Sequence, residues 1–336
     1  MFAAIQPALM EGCVMAARRL PMASGSSAVE RRIESMRNRP RLPDWFRTIL
    51  PTGERLAAFN ETRNNIDENM LATVCQEARC PNIHDCWGRG TATFMIAGEE
   101  CTRGCKFCAV GSISRPPPLD EEEPARLAQS VSRMNLEHAV ITVVNRDDLE
   151  DSGSEHYRRC IEAVHQECPE TTLELLCSDL AGDLSDLEHL LQESPLDVFA
   201  HNVECVPRLD KIVRDHRASF KQSLDILRQA KILRPDILTK SSIMVGMGET
   251  PEEVVEAMQL LREAEVDLIT LGQYLQPTPK HLPVSSFPEP VQFDKWAEQA
   301  EEMGFKGVAS GPLVRSSFKA GILLRQARTS ISEQEG

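Results

Sequence analysis

No stretch of the sequence approaches the roughly 20 apolar residues needed to span a bilayer, which excludes a membrane-crossing helix of ordinary length. Basic charge is also scarce. Lysine and arginine number 37 against 51 aspartates and glutamates, a net charge of −14. A nucleic-acid binder normally presents a basic face, so that class is disfavoured and a small-molecule or protein substrate is left open. No G-x-G-x-x-G follows the first strand, which disfavours a dinucleotide-binding sheet. A secretory leader is not expected: Pro7 and Glu11 break the first apolar run, and Arg18 and Arg19 follow it instead of preceding it. A cytoplasmic location is expected. A mitochondrial leader is the alternative, because the stretch is poor in acids and carries arginine.

Cysteine is plentiful, with eleven residues. Without a secretory signal they point to metal binding and not to a disulfide framework. Six fall in two triplets: Cys75, Cys80 and Cys86, spaced C-x4-C-x5-C, then Cys101, Cys105 and Cys108, spaced C-x3-C-x2-C. Three thiolates on a short loop can hold three irons of a 4Fe–4S cube and leave the fourth iron open. A structural zinc would want four ligands in two close pairs, and no fourth cysteine or histidine follows the second triplet nearby. Ferredoxin-type carriers use C-x2-C-x2-C with a fourth cysteine. Cys13, Cys160, Cys168, Cys177 and Cys205 show no ligand spacing and read as core or incidental thiols.

Around these triplets the chain divides into four parts. Residues 1–50 read as an extension whose arginines recur among few apolar residues, with Pro40 and Pro43 breaking any helix. Residues 51–90 carry the first triplet. Residues 91–310 alternate strand and helix signals, and 311–336 form a C-terminal segment. Strands are expected at 91–97, 138–144, 172–177, 197–201, 237–245, 266–272 and 307–309. Helices are expected between them, including one opened by the capping box Thr250-Pro251-Glu252-Glu253. Six alternating units build a parallel sheet with right-handed crossovers. The fold class is α/β: a partial parallel (β/α)6 TIM-like barrel, an open doubly wound sheet being the alternative.

The barrel is favoured because unusual polar residues cluster just after strands, where parallel barrels build their sites. These positions include Asn145–Asp148, Ser178-Asp179, His201–Glu204, Gly246–Glu249 and Gln273–Thr278. His201, Asn202 and Glu204 have two readings: cofactor contacts, or strand-end groups tied to neighbouring backbone. Gly246 and Gly248 either let backbone approach an adenine or form a plain tight turn. Arg146 and Asp148 contact cofactor or substrate, or pair with each other across the mouth.

C-x3-C-x2-C with Phe107 before the third cysteine resembles the radical S-adenosylmethionine superfamily, and the upstream triplet narrows the resemblance to the lipoyl synthase family. It covers residues from about 43 to 320 and includes TATFMIAGEECTRGCKFCAVG, HNVECVPRL (His201–Leu209), TKSSIMVGMGET (Thr239–Thr250), GQYLQPTPKHLPV (Gly272–Val284) and VASGPLVRSSF (Val308–Phe318). It implies a full or partial parallel barrel, an N-terminal cluster-binding extension and a C-terminal segment closing over the site. It implies two 4Fe–4S clusters and S-adenosylmethionine. The open iron of the Cys101, Cys105 and Cys108 cluster would bind and cleave S-adenosylmethionine to methionine and a 5′-deoxyadenosyl radical.

The auxiliary cluster on Cys75, Cys80 and Cys86 would take Ser317 as its fourth ligand, with Ser316 the less favoured candidate. It would donate two sulfurs to the sixth and eighth carbons of an octanoyl group on a carrier lysine. Implied partners are octanoylated lipoyl carrier domains of 2-oxoacid dehydrogenase acyltransferases and of the glycine cleavage system's H protein. An electron donor such as ferredoxin or flavodoxin is also implied. Departures from the family pattern are Asn145, Glu150, Ser152, Cys205, Phe318 and the stretch from Arg214 to Ser219; none removes a cluster ligand. A methylthiotransferase-like enzyme and a two-cluster electron carrier are the competing readings. The first would place its extra triplet in a separate domain, and the second would want four cysteines per cluster.

Overall fold

The computed structural model describes residues 42–335, with side chains described as far as residue 331. The expected extension over residues 1–50 lies mostly outside the described residues, and Cys13 and the N-terminal leader lie wholly outside them. Ten strands occur in chain order: β1 (Ala72–Thr73), β2 (Thr93–Ile96), β3 (Glu100–Cys101), β4 (Gly111–Ser112), β5 (His138–Val143), β6 (Thr172–Leu176), β7 (Val198–Ala200), β8 (Leu238–Val245), β9 (Leu268–Gln273) and β10 (Gly307–Gly311). Eight form one sheet in the order β1-β2-β5-β6-β7-β8-β9-β10. From β2 to β10 every pairing is parallel, and only β1 runs antiparallel, against β2.

The strands are short apolar runs with both faces covered. All four residues of β2 (TFMI) and all six of β9 (LITLGQ) are buried, as parallel strands under helices must be. A helix crosses between each successive pair: Glu123–Met134, Ser154–Glu167, Leu184–Leu191, Phe220–Leu233, Pro251–Glu263 and Pro290–Glu302. The capping box forms, Thr250 accepting from the Glu253 N–H while Glu253 accepts from the Thr250 N–H. This is the expected partial barrel of six units and a closing strand.

Three elements go beyond the expectation. β1 is two residues long, and β3 and β4 form a separate two-stranded sheet. The third is the final helix, Ala320–Glu335, which packs against both β10 and β5 and so spans the opening that the sheet leaves between its ends. Its Leu323, Leu324 and Ala327 bury against Val198, Leu238 and Leu268 from β7, β8 and β9. Among the described residues no helix is long and apolar enough to cross a membrane.

The barrel floor holds a charge pair. Lys240 Nζ on β8 lies 2.7 Å from Glu174 Oε1 on β6, with the side chains 1% and 2% exposed. β7 separates those two strands, so both side chains must project into the interior to meet. Burial pushes the Glu174 carboxyl up, but Lys240 and His138 overcome it and hold the group below its ordinary range. Lys240→Met should leave Glu174 buried without its counter-ion and cost about 3–5 kcal/mol in denaturant unfolding. Adding Glu174→Leu should restore most of that loss. A double variant as unstable as the single one would contradict a paired floor.

Candidate active site

The upstream thiols hang from the edge of the sheet. β1 pairs Thr73 with Phe94 of β2, which delivers the chain to Cys75 beside the first barrel strand. The Thr73 side chain then accepts from the Gln76 N–H and starts the short helix Val74–Glu77. A second turn, Ile83–Trp87, is braced by Phe59, whose ring lies 5.3 Å from that of His84 and 5.4 Å from that of the buried Trp87. Two long-range hydrogen bonds bring the C-terminal segment to this turn. Asn82 Nδ2 donates to Leu313 O at 2.6 Å, and Thr93 Oγ1 donates to Ser317 Oγ at 2.8 Å.

The downstream thiols sit on a loop closed at its neck by β3 and β4, where Cys101 pairs with Ser112. Two sulfurs receive backbone N–H groups: Arg103 N to Cys101 Sγ at 3.4 Å and Asp215 N to Cys105 Sγ at 3.3 Å. The His281 ring lies 2.9 Å from Cys108 O. Arg103, its side chain 3% exposed, forks between Asp147 and Asp179 at 2.6 and 2.7 Å. Asp215 accepts from the Gly104 N–H at 2.9 Å and pairs with Arg217 at 2.9 Å; the Arg217 hydrogen bond holds the Asp215 carboxyl well below its usual range. The loop is thus tied to the ends of β5 and β6 and to the segment just before the helix Phe220–Leu233 by charge-assisted bonds.

All three downstream thiols and two of the upstream ones meet at one cavity of about 430 Å3, whose lining includes Cys75, Cys80, Cys101, Cys105, Cys108, Ser316 and Ser317. The sulfurs influence one another. Burial pushes the Cys86 thiol up to about 12, and the charges of Cys75 and Cys80 add to the rise. Burial does the same for Cys108, to about 12, and for Cys105, to about 11. Without metal these thiols keep their protons at neutral pH, and iron would have to displace them.

The donor set fits iron–sulfur clusters better than single ions. A tetrahedral zinc with bonds of about 2.3 Å draws its sulfurs to within roughly 4 Å of one another. Among the described residues only Glu123, His156 and Cys160 bring ligand atoms within 4.8 Å of one another, and neither cysteine triplet does. That buried trio is already hydrogen-bonded, His156 Nε2 lying 2.6 Å from a Glu123 oxygen that also accepts from the Ala97 N–H at 2.8 Å.

Of the other candidates, Asn202 and Glu204 line the cavity. Asn202 Oδ1 is buried without a partner, an acceptor aimed at a missing donor. Burial pushes the Glu204 carboxyl up against the pull of Arg214 and Asn202. His201 also lines the cavity, but its ring is spent on Cys177 O at 2.9 Å and Ser223 Oγ at 2.8 Å, the strand-end reading.

For Gly246, Gly248, Arg146 and Asp148 the geometry supports the second of the two readings, a turn and an ion pair. Gly246 and Gly248 are absent from the cavity lining. Gly246 has φ +96°, and a Cβ there would lie 2.0 Å from Gln273 Nε2 and 2.6 Å from Ser286 O, so its smallness serves the protein's own packing. Arg146 and Asp148 form an ion pair at 2.9 Å, and Arg146 also donates to Ala97 O and Pro117 O, clamping both ends of the cysteine loop. Sequence reasoning gave no role to Arg103, Asp215 and Arg217, and it placed Asp147 and Asp179 only among the polar residues after strands. Their only signal was position, inside the motif or just after a strand, since their partners lie far along the chain.

A family model for the radical SAM superfamily matches residues 95–261, and one for the N-terminal domain of lipoyl synthase matches residues 21–80. The chain is 48% identical over 295 residues to a lipoyl synthase of Marinobacter nauticus, covering 88% of this chain and 84% of that one. It is 48% identical over 288 residues to the mitochondrial lipoyl synthase of Bos taurus, covering 84% and 76%. It is 48% identical over 296 residues to the chloroplastic lipoyl synthase of Arabidopsis thaliana, covering 87% and 74%. Relatives with organellar and bacterial names do not select the cytoplasm as the compartment. Among solved structures, methylornithine synthase superposes with TM-score 0.51 at 13% identity over 83% of this chain and 77% of that one, which supports the fold alone.

Burial holds His201 at about 4, below its ordinary 6.5, so the folded ring stays neutral. The unfolded ring therefore takes a proton first as pH falls. His201 contributes stability that is present above about 6.5 and is lost between there and about 4, on the order of 3 kcal/mol. Denaturant unfolding at pH 7 and pH 4.5 should show this loss in the parent chain and much less of it in His201→Gln. An identical slope in both would contradict the assignment.

Proposed function

The chain belongs to the lipoyl synthase family of radical S-adenosylmethionine enzymes, which act in lipoate biosynthesis by radical sulfur insertion, and on that premise we propose that it converts an octanoyl-lysine to a lipoyl-lysine. The two sulfurs would enter at the sixth and eighth carbons of an octanoyl group carried on a lipoyl domain. The observation that carries this reading is the convergence of Cys75, Cys80 and Ser317 with all three downstream thiols on one cavity.

Cys101, Cys105 and Cys108 would hold one 4Fe–4S cluster, and Cys75, Cys80, Cys86 and Ser317 the other. When bound, the first supplies the electron that cleaves S-adenosylmethionine and the second supplies sulfur. The chain's own residues arrange the rest. Asn202 Oδ1 and the Glu204 carboxylate offer acceptors to the ammonium of S-adenosylmethionine, which answers the unpartnered oxygen. Met95, Val144, Leu176 and Met244 give the same cavity apolar walls that suit an acyl chain and exclude water. Thr93 donates its hydroxyl proton to Ser317 Oγ, a bond that would strengthen if that oxygen gave up its own proton to bind iron.

The harder serine oxygen would hold iron less durably than a thiolate, easing loss of one iron as the cluster is consumed. Ser317 is favoured over Ser316 because it also lines the space beside Cys86. The carriers would be 2-oxoacid dehydrogenase acyltransferase subunits and the glycine cleavage H protein, with a ferredoxin or flavodoxin as electron donor.

Ser317→Ala tests the assignment. After anaerobic reconstitution, 5′-deoxyadenosine formation should stay within about twofold of the parent. Dithiolated octanoyl-lysine peptide should fall roughly ten- to a hundredfold, the scale on which metal-site support residues act. Equal loss of both activities would sink the role given to Ser317.

A further inference from the structure

The upstream triplet stands between two cavities. Cys75, Cys80 and Ser317 line the shared inner one and also an outer one of about 420 Å3, while Cys86 lines only the outer. None of Cys101, Cys105 and Cys108 reaches the outer cavity. Its walls include exposed residues such as Ile322, Lys319 and Arg325, so it opens to solvent. The upstream thiols therefore have an approach that does not pass the downstream loop.

That approach is basic. Arg89, Arg315, Lys319 and Arg325 line it; Glu137 pairs with Arg325 at 3.2 Å and Asp85 with Arg89 at 2.7 Å, which leaves the cations in excess. Lys319 has no carboxylate within ion-pair distance among the described residues. The Phe318 ring gathers two of these cations, with the Lys319 ammonium 5.2 Å and the Arg89 guanidinium 5.8 Å from its centroid. Phenylalanine here is one of the chain's departures from its family pattern, and its ring keeps an apolar floor under that charge.

We infer that the outer cavity is a separate, anion-selective entrance through which the upstream thiols are loaded with a thiolate-held iron–sulfur cluster, itself an anion. The inference rests on the proposed function. If that cluster yields its sulfur, its ligands must be refilled, while the inner cavity is shared with S-adenosylmethionine and the acyl arm. Transfer of a preformed cluster exchanges ligands only. Each of the three acceptor thiols, and the Ser317 hydroxyl, passes its proton to a departing donor thiolate as its sulfur or oxygen takes the iron, and no electron moves.

The test uses the full chain, first free of clusters. Cys86 is labelled with methanethiosulfonates of equal size bearing a sulfonate or a quaternary ammonium, and modification is read by peptide mapping. The anionic reagent should react at Cys86 faster than the cationic one, by roughly tenfold at low salt. Lys319→Glu with Arg325→Glu should reverse that preference, and the ratio at Cys105 should not move. In a second arm, loading from a synthetic 4Fe–4S cluster held by four small thiolates should be slowed in the double variant, to the same final iron content. Equal rates of the two reagents at Cys86 in the unaltered chain, or unchanged loading in the variant, would overturn the inference. Labelling needs no turnover, so a charge preference without sulfur insertion would count against the proposed function and not against the entrance.

Discussion

The structure depends on a closure between the two ends of the barrel chain. Asn82 reaches Leu313 and Thr93 reaches Ser317, partners 231 and 224 residues apart. These bonds place the C-terminal segment against the first barrel strand and complete the wall of the inner cavity. Nothing local enforces them. They form because the helix Ala320–Glu335, which follows that segment, packs against both β10 and β5 and buries its leucines against residues of β7, β8 and β9. Gly272, at the end of β9, shows how tight the passage is: a Cβ there would lie 2.1 Å from Val314 O. A side chain at that position would push the serine away from the thiols.

The second constraint is charge. Four buried or half-buried groups, Arg103, Asp147, Asp179 and Asp215, and the exposed Arg217 fasten the downstream loop. Removing one partner from such a network leaves a charge uncompensated in a poor solvent, so the network favours a single loop geometry. A loop that, on the proposed function, would hold three sulfurs at the corners of a cluster benefits from that uniqueness more than from stability. The rigid floor at Lys240 and Glu174 plays the matching part at the opposite end of the barrel, away from the chemistry.

Much of the fold was legible because it is periodic. Buried runs such as HAVITV alternate with amphipathic helices, and the capping box at Thr250 marks one helix start to the residue. The thiol spacings and the R-S-S segment pointed to residues that the fold gathers around its cavities, and Asn202 and Glu204 line the inner one. The rest was hidden for definite reasons. β1 is too short to show a period, and only its pairing with β2 makes it a strand. Gly246 suggested a ligand's approach, yet the crowding comes from Gln273 and Ser286. Arg146 suggested a substrate contact, yet its donors are taken by Asp148, Ala97 and Pro117. Arg103 and Asp179 are 76 residues apart, and no local pattern links them.

The central claim is that the upstream triplet holds the sulfur that the product receives, across a cavity shared with the downstream triplet. It is tested most directly by reconstituting the chain with 34S-labelled sulfide, removing the excess, and running a single turnover on an octanoyl-lysine peptide in unlabelled buffer. The account predicts a product carrying two 34S atoms. A dithiolated product with unlabelled sulfur would contradict it.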